Sequence, residues 1–446
     1  MLRTSRAGHE IVHIDFTSRT LDNGLDVIIH EDHRCPIVAV NVWYYVGSKN
    51  ERAGRTGFAH LSEHLMFEGS AHHQGGYFHP LQEAGAALNG STNADRTNYW
   101  EVVPVNGLEL ALWMESDRMG YLLPALTPEK FSNQRDVVLN ERRQNYENRP
   151  YGLATRALVA ALYPPEHPYR WLTIGEPEDL IAASIDDVKA FLRAYYHPRN
   201  ASLTIAGAVD TERALALAHD HFGGLEPGPA VAPVVAPVPA IAREVRLVME
   251  DRVELPRLYL GWHTLALFEP GDAELDLIAD LLGNGKASRL YRALVYERRI
   301  ATEVAASQNS RELSSFFQVV VTAAPGRSLG EIDQVITDEI ARLQATGPTD
   351  DEMTRALVQA EAHFVQRLQT VGGFGGKSDQ LNAYNVFVGD PGFFGRDLAR
   401  YRDATAVRLR DAARTHLSTK ARVALSVVPN GQTALALADS RMAASS

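Results

Sequence analysis

The stretch Gly57-Phe-Ala-His-Leu-Ser-Glu-His-Leu-Met-Phe67 places two histidines and a glutamate within five residues. Written as a helix, it puts His60 and His64 at i and i+4, on one face and one turn apart. Two imidazoles at that spacing can converge on one divalent ion. Glu63 stands beside them, one position before the second histidine, where it can reach a water on the ion without binding the ion itself. This is the donor set of metal-assisted hydrolysis. Phe58, Leu61, Leu65 and Met66 make the rest of the helix apolar. It is therefore expected to be buried, and a buried His-Glu-His cluster needs a compensating cation. A helix carrying two surface histidines and a glutamate has the same spacing, so the surrounding elements must decide.

A hydrolytic zinc site usually takes three protein ligands and leaves one position for water. A second helix is written from Thr127 to Glu141, with Thr127 suited to the N-cap and Pro128 to the first helical position. Gln134, Val137, Val138 and Glu141 share a face by spacing, which puts an acid on an otherwise inward side. Glu141 is a candidate third ligand. A salt bridge from the helix end to Arg142 or Arg143 is the alternative, and spacing does not choose between them.

The elements that must position these groups fall into two halves. Pro227–Pro239 carries five prolines in thirteen residues, which no helix or central strand accommodates. We expect domains at 1–226 and 242–446 joined by a Pro-rich linker at 227–241. The β-rich runs starting at Pro36 and Pro256 correspond at an offset of 220, and those at Ala201 and Val423 at 222. One offset serving both ends points to duplication. Strands are expected at 25–29, 37–46, 98–103, 202–206, 245–249, 257–262, 315–322 and 423–428, with helices between them at 108–120, 128–146 and 272–282. This mixture, without regular βαβ alternation, gives an α+β fold class.

Composition narrows the function. A chain of 446 residues with 45% hydrophobic and 22% charged residues is an ordinary globular one, and a net charge of −11 argues against nucleic-acid binding. The single cysteine, Cys35, permits no internal disulfide and leaves any metal site to histidines and carboxylates. No apolar run is long enough for a membrane span, and no apolar stretch follows the charges of Met1–Gly8, so no signal peptide is expected in the sequence as written.

Leu21-Asp-Asn-Gly-Leu25, Val46-Gly-Ser48 and Gly57–Gly69, with a glutamate 77 positions past His64, resemble the M16 zinc metallopeptidases (pitrilysin, insulinase and mitochondrial processing peptidase-like), in particular short M16B-type subunits. The resemblance implies two homologous α+β domains with mixed or antiparallel sheets and helices packed on one side, in a half-clamshell architecture. It implies one Zn2+ per chain on His60, His64 and Glu141, and Glu63 as general base. Ala87–Ala94 is similar to the family's edge strand, where a peptide substrate adds as an extra strand, so Asn89, Gly90 and Ser91 would lie along it. Arg289, in Ser288-Arg-Leu-Tyr291, resembles a substrate-contacting arginine.

Three departures bear on activity. Gln134 stands where many members carry a glutamate, so a carboxylate supporting ligand or water is replaced. Thr302 stands where a tyrosine that could stabilise an oxyanion is expected. The second repeat has lost the metal residues, since Asp280, Gly283 and Asn284 occupy the corresponding positions. Together they suggest a zinc endopeptidase acting with a homologous sister subunit that lacks the zinc motif and supplies an Arg/Tyr pair. A homodimer is the second choice, and a catalytically inactive core or assembly subunit is the alternative function. Paired bacterial members are often exported, which favours a periplasmic over a cytoplasmic setting. Gly372–Gly376 reads as a gate or plain loop, since no Walker spacing follows it. His72 and His73 read as solvated.

Overall fold

A computed structural model describes residues 3–4, 10–11 and 13–444, so most of Met1–Gly8 lies outside the described residues. Packing gives two compact units that do not follow a cut at the Pro-rich stretch. The first comprises Met1–Asn140, Leu172–Val234 and His363–Leu398, and the second Glu141–Trp171, Val235–Ala362 and Ala399–Ser446.

The first unit is built on a six-stranded sheet: β1 Thr17–Thr20, β2 Asp26–Glu31, β3 Ile37–Tyr44, β4 Ala87–Thr92, β5 Thr97–Pro104 and β6 Ala201–Gly207, in the order β1-β2-β6-β3-β5-β4. β2 and β6 run parallel, and the other neighbours are antiparallel. β3, Ile-Val-Ala-Val-Asn-Val-Trp-Tyr, is buried from Val38 to Tyr44, as β-branched and aromatic residues favour.

The second sheet comprises β7 Val245–Asp251, β8 Arg257–Thr264, β9 Ala301–Asn309, β10 Ser315–Ala323, β11 Val423–Pro429 and β12 Arg441–Met442. Its order, β12-β7-β11-β8-β10-β9, repeats that of the first with the same single parallel pair in its interior, β7 with β11. The duplication is thus present in topology, and the fold is α+β as expected. Only the outermost strand beside each parallel pair differs, β1 being antiparallel to its neighbour and β12 parallel.

Six helices suffice to place the site: α1 Phe58–Leu65, α2 Leu108–Ala125, α3 Pro128–Arg142, α4 Ala154–Leu162, α5 Asp272–Gly283 and α6 Lys377–Val388. One face of each sheet is covered by helices from its own half. The other is covered by a helix from the opposite half of the sequence. α6 lies on the first sheet, where Asn382 donates to Asn41 O at 2.8 Å and accepts from the Ser202 and Thr204 hydroxyls at 2.8 Å each. α4 lies on the second, where Gly261 has no side chain and Leu158 and Leu162 approach within 3.2 and 3.3 Å of its missing Cβ. The core on the other face of that sheet joins Leu258, Leu260 and Trp262 to Ile278, Leu282, Ile336 and Leu409. Helices on one side therefore describe each half's own contribution, and the exchange closes the second face.

Candidate metal centre

α1 begins at Gly57, whose φ of +85° and close neighbours Ile174 O and Leu180 Cδ2, both 3.0 Å from a hypothetical Cβ, suit glycine. The buried Glu51 carboxylate accepts from the backbone N–H of Gly57 at 3.0 Å and of Ala59 at 2.8 Å. It thus satisfies donors at the helix start and places a negative charge at the positive end of the dipole. Phe58, Leu61, Leu65 and Met66 are buried as expected.

His60, His64 and Glu141 each offer a donor atom, and these atoms lie within 4.8 Å of one another. Among the described residues this is the only such group of three or more histidine, cysteine or acidic residues. The two imidazole centroids are 4.8 Å apart and their planes cross at 79°. Burial, then the neighbouring His64, pushes the His60 imidazole down to about 3, so it is neutral at pH 7, the form that ligates metal. Glu141 is fixed by α3, most of which lies in the first unit. Val138 is fully buried on that helix, whereas Val137 is exposed, so the inward face is narrower than its spacing suggested. Arg142 pairs with Glu147 at 3.0 Å. Two nitrogens and a carboxylate within bridging reach fit a zinc ion with an open position.

Gln134, two turns before Glu141, meets the ligand cluster directly: its Oε1 is 3.2 Å from His64 Nδ1, and its Nε2 donates to Glu68 Oε1 at 2.5 Å. Sequence reasoning missed Glu68, although it stands four residues after His64. Three more neighbours were missed. The Tyr99 hydroxyl donates to the Glu63 backbone carbonyl at 3.4 Å. Burial raises the phenols of Tyr99 and Tyr196, and the Glu63 charge adds to it. The half-buried Arg96 is lowered by desolvation but supported by Asp379 and Glu63.

Below α1, Arg118 is fully buried, 3.8 Å over the Tyr77 ring and 4.1 Å over that of Tyr99. It donates to Glu115, while Tyr77 donates to Glu101 at 2.5 Å. Burial, then Glu115, raises the Glu101 carboxyl well above the usual range. This polar floor holds the aromatic residues on which Phe67, just past α1, rests.

β4 is an edge strand, as the resemblance implied. Gly90 lies under Phe67 and opposite Tyr99, Asn89 Oδ1 accepts from Gly90 N–H at 2.8 Å, and Ser91 is held by Arg96 and Asn98. Gly372–Gly376 is tied to the start of α6 and to the end of β2: the Gly375 N–H donates to the buried Asp379 on α6 at 2.7 Å, and Lys377, the first residue of α6, pairs with Asp32 just past β2 at 2.6 Å. Gly372 and Gly373 help enclose a cavity of about 530 Å³ with Ala87, Trp100 and Val102. In the second unit, Arg289 is engaged by Glu352, and Thr302 lies on the edge strand β9. Asn284 donates to Asp280 at 2.9 Å, at the positions corresponding to His64 and His60. His72 meets Asp117 at 2.5 Å with its side chain 57% exposed, apart from the ligand cluster.

A family model described as "Insulinase (Peptidase family M16)" matches residues 26–169, and one described as "Peptidase M16 inactive domain" matches residues 182–359. The chain belongs to the M16 peptidase family. Curated relatives include the zinc protease PqqE of Helicobacter pylori, 28% identical over 79% of this chain and 80% of that protein. An uncharacterized zinc protease of Mycobacterium leprae is 28% identical over 75% and 74%. The crystal structure of a protease from Helicobacter pylori matches with a TM-score of 0.86 at 26% identity, over 94% of this chain and 100% of that one. The periplasmic protease PqqL of Escherichia coli shares the fold at 18% identity and a TM-score of 0.78, over 95% of this chain and 49% of that one. Among the described residues, no helix is long and apolar enough to cross a membrane.

Proposed function

We propose that this M16 chain is a zinc-dependent endopeptidase, with His60, His64 and Glu141 as ligands and Glu63 as general base. The observation that carries this reading is the convergence of three donor atoms from two helices within 4.8 Å. Zinc bound there would acidify a water and polarise a peptide carbonyl. Glu63 takes the water's proton as the carbonyl is attacked and returns it to the departing amine. The charge of Arg96 and the hydroxyl of Tyr99 help hold this carboxylate's surroundings in place. β4, with Asn89, Gly90 and Ser91, receives the substrate as an added strand, reading backbone before side chains.

The active species we propose is a pair of homologous chains. This chain lacks a polar aromatic at position 302, and a sister subunit without the zinc motif would supply an Arg/Tyr pair. The match of 95% of this chain to 49% of PqqL, a single chain of the same fold, is consistent with two such portions working together. The second reading, a non-catalytic assembly subunit, finds support in the loss of metal residues from the second repeat. Peptide cleavage by the zinc-loaded chain, assayed with and without the sister chain, separates the two. Cleavage in either condition supports the peptidase, and zinc binding without cleavage in both supports the assembly subunit.

A further inference from the structure

Gln134 touches His64, but an amide can present either an acceptor or a donor, and these select opposite imidazole tautomers. The residue that decides is Glu68. It follows α1 in a tight turn, Phe67 N–H donating to His64 O at 3.1 Å and Glu68 N–H to Leu65 O at 3.0 Å, which brings its side chain back toward α3. Its Oε1 lies 2.5 Å from Gln134 Nε2. A carboxylate only accepts hydrogen bonds, so the amide must turn its NH2 toward Glu68. Oε1 of Gln134 is then the atom left facing His64 Nδ1, at 3.2 Å. A carbonyl oxygen also only accepts, so Nδ1 must carry a proton, and in the neutral imidazole, the form that ligates metal, Nε2 then holds the lone pair.

We infer that Glu68 is a positioning residue that fixes the metal-binding tautomer of His64 through Gln134. The carboxylate expected at position 134 has moved one side chain outward, and an amide relays its polarity. Loss of Glu68 leaves the amide free to flip and offer NH2 to Nδ1. That orientation favours the tautomer with its proton on Nε2. The inference about zinc rests on the proposed function above, whereas the tautomer is a property of the metal-free chain.

The test uses the full chain labelled with 15N at histidine. Nitrogen–proton correlation spectra of the metal-free protein give the His64 tautomer, and competition with a chromophoric chelator gives the zinc affinity. The variants are Glu68→Gln, and Glu68→Gln combined with Gln134→Glu, which places a carboxylate directly against Nδ1–H. Wild type is expected in the Nδ1–H form. Glu68→Gln is expected to show mixed tautomers and zinc binding weaker by about 10- to 100-fold, and the double variant to recover both. A pure Nδ1–H His64 with undiminished zinc affinity in Glu68→Gln overturns the inference, as does failure of the double variant to restore the tautomer. Wild type that is Nδ1–H but binds no zinc counts against the metal reading and leaves the tautomer comparison to judge Glu68.

Discussion

Arg289 meets Glu352 through two bonds of 2.7 Å, Nε to Oε1 and Nη2 to Oε2. The planar guanidinium matches a carboxylate in this two-pronged way. A third bond, 3.1 Å to Gly347 O, completes its anchoring, and the two side chains are 10% and 15% exposed. The arginine that sequence resemblance marks for substrate contact is therefore committed to a partner within its own unit.

This pair should show in a pH titration. Burial works against ionisation of Glu352, but Arg289 and the Thr349 N–H outweigh it and hold the carboxyl down at about 2, against 4.5 ordinarily. A depressed carboxyl contributes its full stabilisation above 4.5 and loses it as pH falls from there toward 2. Glu352→Gln should therefore lower stability by about 2 kcal/mol at pH 7. The deficit should shrink below pH ~4.5, read as urea midpoints at several pH values. A deficit independent of pH would show that the carboxylate charge is not what holds Arg289.

The edge strand can be separated from the metal site. A Cβ at Gly90 would lie 3.0 Å from both Phe67 Cζ and Tyr99 Cδ1, so a larger side chain must push β4 or α1 aside. Gly90→Val should bind zinc normally and cleave peptides at least about tenfold more slowly, since a small displacement of substrate from the reacting groups is costly. Zinc content and cleavage rate on one preparation check it, and unchanged cleavage would remove β4 from substrate binding.

The paired-chain proposal makes a kinetic prediction. The purified chain should cleave peptides slowly by itself, and adding a sister chain bearing the Arg/Tyr pair should raise the rate by roughly 10²-fold, the scale of one oxyanion donor. A monomer cleaving at the full rate without any partner would exclude it.

The strands rich in Val, Ile and aromatic residues were legible in sequence, with ends displaced by only a few residues. β4 and β9 were weaker signals because both are edge strands of polar and small residues, Ala-Leu-Asn-Gly-Ser-Thr and Ala-Thr-Glu-Val-Ala-Ala-Ser-Gln-Asn. They are held by pairing with β5 and β10 more than by their own propensity. The grouping of His60, His64 and Glu141 followed from helix periodicity and the family resemblance. The exchange of α4 and α6 between the two halves of the sequence was invisible because nothing local tells an amphipathic helix which sheet it will cover. Arg118 and Glu115 were equally hidden, since charged residues are rarely fully buried and three-dimensional pairing alone permits it.

The central claim rests on Glu63 acting beside three ligands that remain intact without it. Wild type and Glu63→Gln should be assayed side by side for bound zinc and for cleavage of an unstructured peptide, with the sister chain present. One zinc per chain in both, with cleavage in the variant reduced by about 10²-fold or more, is the expected result. Persistent cleavage by Glu63→Gln, or a wild-type chain that takes up no zinc, would contradict it.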